Sequence, residues 1–172
     1  ATASFPVIGP RASVTADFAI AVPCAVADGT PLIGSVAVTS DPADTDPSNN
    51  AASAQVVASK PAPVISHVTR TPATLWPANH QMRDIALDYE VTDNCGVPTV
   101  SVNVSSSQAV NGTGDGDTAP DWKVHSLKSV QLRAERAGGD SAGRVYTLEV
   151  KAADSSGATS NATTTVVVPH NR

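Results

Sequence analysis

The chain has 172 residues, 11 Lys+Arg against 16 Asp+Glu, and a formal net charge of −5. An acidic balance with 4 Lys and no basic run argues against nucleic acid or anionic membrane as partner. No apolar stretch approaches the ~20 residues that span a bilayer, so membrane insertion is not expected. The 27 Ala and 23 Val stand against 6 Leu, and the 13 Asp against 3 Glu. Val and Thr favour strands, whereas Leu, Glu, Lys and Gln, the usual helix formers, are scarce. Scattered Pro and Gly punctuate short segments, and the class is all-β. Starting at Ala1 without Met or a leader, the chain is expected to be a processed mature chain or a fragment.

The elements follow in chain order. Over residues 1–60, alternation predicts strands at 12–22, 32–40 and 51–59. Three or four strands in that length bury little, so this part is expected to be a small or partial β-sandwich repeat. Lys60-Pro61-Ala62-Pro63 cannot continue a ladder, which makes 61–63 a stiff linker. From 64 to 172 seven strands are predicted, at 64–69, 82–92, 99–105, 122–125, 129–136, 144–153 and 162–168. Ile85/Leu87/Tyr89/Val91 and Tyr146/Leu148/Val150/Ala152 alternate with period two, as half-buried strands require. Seven short strands in about 110 residues predict an immunoglobulin-like β-sandwich. Tyr146 stands where that fold places a corner tyrosine bonding back to the backbone; the alternative is an ordinary strand Tyr.

Several constellations are candidates for chemistry. Asp115-Gly116-Asp117, followed by Asp121, places hard oxygen ligands in a Gly-rich loop, which suits Ca²⁺. The competing interpretation is a solvated loop using Asp and Gly for turns. Asp93, Glu135 and Asp154 at strand ends are weaker calcium candidates, and Asp41, Asp44 and Asp46 weaker still. Gly139-Asp140-Ser141-Ala142-Gly143 matches the nucleophile-elbow pattern, but it joins two strands and is expected to be a hairpin turn. His67, His80, His125 and His170 lack metal-ligand spacing, and His80 is expected to brace an irregular loop. Trp76 and Trp122 either stack on a sugar or anchor loops against the core. N-x-S/T triplets begin at Asn103, Asn111 and Asn161.

Longer motifs carry a resemblance. They are Leu75-Trp76-Pro77-Ala78-Asn79-His80-Gln81-Met82, Val91-Thr92-Asp93-Asn94-Cys95-Gly96, the run from Gly112 to Trp122, Leu132-Arg133-Ala134-Glu135-Arg136, and Ala153-Asp154-Ser155-Ser156-Gly157. On these, residues 63–170 resemble bacterial Ig-like modules related to hyalin repeats, found in secreted and surface proteins. Asp28-Gly29-Thr30-Pro31-Leu32 and the Asp-Pro…Asn-Asn run 41–50 resemble the C-terminal half of another extracellular repeat. The resemblance implies a secreted or cell-surface setting. Hyalin-like repeats pair the Cys of the Asp-Asn-Cys-Gly turn with one on the last strand, and here that strand has none. In oxidising surroundings a Cys24–Cys95 bridge is then the candidate; free or intermolecular thiols are the alternative.

The expected function is a non-enzymatic structural or adhesion module of a modular surface or filament-forming protein. Its expected partners are copies of itself or neighbouring domains, joined by strand pairing, with residues 1–8 as a candidate donor strand. The rival is a carbohydrate-binding accessory module of a secreted hydrolase, with a glycan as ligand; an enzyme ranks last.

Overall fold

The computed structural model describes residues 1–172 except Asn111, Thr113, Asp117 and Arg172. It divides into two units, Ala1–Ala58 and Ser59–Arg172.

In the first unit β1 (Pro31–Ala37) and β2 (Ala51–Val57) form an antiparallel ribbon. Between them lies a one-turn 3₁₀ helix at Pro47–Asn49, capped by Asp46, whose carboxylate accepts from the Ser48 amide. Leu32 pairs with Val56, Gly34 with Ala54 and Val36 with Ala52. Paired residues share a face, so one face of the ribbon is apolar. That face has no core behind it: Val36 and Val56 are 55% and 62% exposed. Residues 12–22 adopt no strand, contrary to the expectation from their alternation. Alternation marks which side chains would share a buried face, but a strand also needs a neighbour to take its backbone hydrogen bonds. Residues 1–8 likewise lie outside any strand.

The second unit contains β3 (Val64–Thr71), β4 (Met82–Thr92), β5 (Thr99–Ser106), β6 (Trp122–Ser126), β7 (Ser129–Arg133), β8 (Arg144–Ala153) and β9 (Thr159–Val168). Two antiparallel sheets, ordered β3-β4-β7-β6 and β5-β8-β9, have the strand order of a seven-stranded immunoglobulin constant-type sandwich. Their inner faces meet in one core that includes Ile85, Leu87, Val130, Leu132, Tyr146, Leu148, Val150, Val166 and Val168. Every second residue of β8 from Arg144 to Ala152 is fully buried, as period two dictates.

β5 and β6 each run one residue further than expected, and three larger boundary differences have identifiable reasons. β3 runs on to Thr71 past a bulge between Ser66 and Thr69, where His67 takes φ 54°. β7 stops at Arg133, because the Glu135 amide turns back to the Arg133 carbonyl and the Ala134 amide bonds Gln81. β9 begins three residues early, at Thr159 opposite Ala153. Beyond Thr71 the chain leaves β4 and crosses to the other sheet. There Thr74 bridges Val167 in parallel, with the Leu75 amide donating to the Val167 carbonyl at 2.8 Å and the Val167 amide to Ala73 at 3.0 Å.

Candidate functional site

Arg144 begins the inward-facing row of β8, so the strand drives a guanidinium into the end of the core. The surrounding loops supply its partners. Nη2 donates to Asp121 Oδ2 at 2.6 Å and to the Ala109 carbonyl at 2.7 Å. Nη1 donates to Glu135 Oε1 at 3.2 Å and to the Tyr146 hydroxyl at 3.1 Å. Asp115 Oδ2 lies 3.8 Å from Nη2 and accepts from the Gly112 amide at 2.8 Å. The side chains of Arg144, Asp121 and Glu135 are wholly excluded from solvent.

Tyr146 is the corner tyrosine, its hydroxyl donating to the Arg133 carbonyl at 2.9 Å. Burial pushes its pKa far up, which keeps the hydroxyl a donor. Arg133 spans the same corner: Nε and Nη2 donate to the Pro120 carbonyl, and Nη1 to that of His80. His80, at φ 61°, places Nδ1 3.2 Å from Glu135 Oε2 and donates its amide to the Ala134 carbonyl. Its ring lies over Gly116, where a Cβ would meet it at 2.6 Å.

The electrostatics follow from burial. The Glu135 carboxyl is raised above its ordinary pKa, first by desolvation and then by the neighbouring Asp121, against hydrogen bonds from His80 and Arg144. Burial by itself would weaken the charge on Arg144, but Tyr146, Asp121 and Glu135 together outweigh it and hold the guanidinium ionised.

Asp115, Asp121 and Glu135 each offer a carboxylate oxygen within 4.8 Å of the others, a spacing that could hold a metal ion. Of the expected calcium ligands, Asp115 and Asp121 thus come together, while Asp117 lies outside the described residues. Glu135 joins them; Asp93 and Asp154 do not. Asp93 accepts from the Cys95 amide and Asp154 caps its own turn through Ser156 and Ala158. Asp44 and Asp46 order the turn before the 3₁₀ helix. The buried partner that sequence reasoning missed is Arg144. Its signal was parity: Arg144 shares a face with Tyr146, Leu148 and Val150.

The remaining candidates disperse. The Gly139–Gly143 motif is not a hairpin, because it connects strands of different sheets. Its turn is closed by Asp140, whose carboxylate accepts from the Ala142 amide and the Gln108 side chain. His67 pairs at the surface with Glu90, and His170 approaches the Gly138 carbonyl. Trp122 packs edge-on to Tyr146 at 6.4 Å, whereas Trp76 is 41% exposed. Asn103 and Asn161 are exposed on β5 and β9; Asn111 lies outside the described residues. Both Cys24 and Cys95 are disulfide-bonded, which is consistent with a non-cytoplasmic protein. Among the described residues no helix is long and apolar enough to cross a membrane.

No protein-family model, curated protein or solved structure matches the chain.

Proposed function

We propose that this chain is a non-enzymatic structural and adhesion module of an extracellular, modular surface or filament-forming protein. The second unit is its preformed sandwich, and the first unit completes a sheet with a strand from a second copy. The observation that carries this is the ribbon β1-β2. Its apolar face is exposed, and residues 14, 16, 18, 20 and 22 (Val, Ala, Phe, Ile, Val) alternate in a segment that belongs to no strand. An apolar face with open edges is a template for strand addition. The buried cluster supports the same reading. Asp121 and Glu135 pair with Arg144, Glu135 also with His80, and Asp115 accepts from the Gly112 amide, so the cluster braces the corner between the sheets.

Calcium enters this reading only as a competitor of Arg144, the cation that the three carboxylates already share. The test of the assembly is sedimentation equilibrium on the purified chain. Self-association that Phe18→Asp weakens is expected. A concentration-independent monomer rejects strand exchange between copies.

A further inference from the structure

The crossover after Thr71 leaves a consequence on the surface of the second unit. β3 pairs with β4 only as far as Thr71 opposite Ala86, so among the described residues Met82–Ile85 have no strand neighbour on that side. The departing chain is stitched to Val167 instead. Between the two lies an open groove of about 480 Å³, lined among others by Pro72, Leu75, Trp76, Met82, Arg83 and Asp84.

Its walls are rigid and chemically mixed. The loop carrying Trp76 is held at one end by the Leu75–Val167 hydrogen bond. At the other, the His80 amide bonds Ala134 and the Arg133 guanidinium bonds the His80 carbonyl. Leu75 is buried, which fixes the residue beside Trp76 to the core, while the indole remains 41% exposed. Asp84 Oδ1 accepts from Gln131 Nε2 at 2.7 Å. Arg83 makes no ion pair or hydrogen bond among the described residues.

We infer that this groove is a binding site for a neutral glycan, with a pyranose ring stacked on Trp76 and its hydroxyls bonded by the Arg83 guanidinium. A sugar ring offers an apolar C–H face and a rim of donors and acceptors. An indole and a guanidinium lining one groove are complementary to both. The open lining of the groove is more polar than apolar, as a hydroxyl-rich ligand requires. A polyanionic glycan fits less well, because Asp84 lines the groove and the chain carries −5 overall. The inference is independent of strand exchange: a chain that stays monomeric still has this groove.

The experiment is affinity electrophoresis of the whole chain in gels containing soluble β-glucan, xylan, galactomannan or polygalacturonate. Retardation by at least one neutral polymer is expected, with loss in Trp76→Ala and weakening in Arg83→Met. Melting curves of both variants are recorded beside wild type; if Trp76→Ala unfolds, Arg83→Met, on an exposed position, decides. Retardation by polygalacturonate alone, by none of the four, or undiminished in folded variants overturns the assignment.

Discussion

Arg144 Nη2 meets Asp121 Oδ2 at 2.6 Å with neither side chain exposed to solvent. An ion pair so placed gains little over an apolar pair of the same shape, because both charges lose their hydration. Breaking it on one side is costly, since the partner stays behind unpaired. Arg144→Met therefore destabilises the second unit by about 3–5 kcal/mol. Combining it with Asp121→Asn and Glu135→Gln recovers part of the loss. Denaturant unfolding of the single and triple variants measures this, and a triple variant no better than the single one rules it out.

Glu135 predicts a pH dependence. Its folded pKa is raised, by burial first, so the native state holds the proton more tightly than the unfolded chain. Below the unfolded value of about 4.3 both states are protonated and the effect vanishes. As pH rises from there towards the folded value, the unfolded chain gives up its proton first and stability falls. Glu135→Gln removes this slope, so the difference in melting temperature between variant and wild type grows with pH across that window. Parallel curves contradict it.

Asp140 and Asp154 act in the opposite sense. Hydrogen bonds from Gln108 and from Ser156, respectively, hold their carboxyls below the ordinary range. Their support is present above the unfolded pKa of about 3.9 and is lost as pH falls through the folded values. Asp140→Asn and Asp154→Asn should each flatten acid unfolding below about pH 4. An unchanged acid limb in both would refute this.

Gly143 has φ 75°, and a Cβ there would stand 2.4 Å from the Val168 carbonyl oxygen, a backbone atom that cannot swing away. Gly143→Ala costs roughly 1–3 kcal/mol for the positive φ alone, with the clash added to it. Hydrogen exchange should show the β8–β9 pairing opened next to Val168. A variant with native stability is the contrary outcome.

Calcium supplies the last test. With Arg144 among the carboxylates, a chelator is expected to leave the melting temperature unchanged. A Ca²⁺-dependent rise that Asp121→Asn abolishes would establish an ion beside the guanidinium, by the usual linkage of ligand to stability.

The strands of the second unit were legible because period two is a local property. Tyr89, Leu148 and Val150 declare their face by spacing alone, and Met82–Thr92 and Arg144–Ala153 were expected at the bounds observed. Tyr146 was legible as a corner residue because its place in β8 is fixed relative to the core position Leu148. The ionic cluster was only half legible. Asp115 and Asp121 announce a loop, but Glu135 reaches them from just beyond β7 and Arg144 from β8, an encounter that no spacing encodes. Residues 12–22 failed for the converse reason: their alternation is clear, and the neighbour that would make them a strand is not among the described pairings.

The stitch at Thr74 and Val167 gives the sandwich a mechanical direction. These two segments run parallel, one near the beginning of the second unit and the other near its end. A pull that drew residues 64 and 168 apart would slide the segments along each other. The Leu75–Val167 and Val167–Ala73 hydrogen bonds would then be loaded in shear, together, instead of unzipping singly. Resistance to such a pull is a matter of unfolding rate and not of equilibrium stability. The crossover that opens the Trp76 groove is thus also the clasp that keeps the sandwich shut under tension.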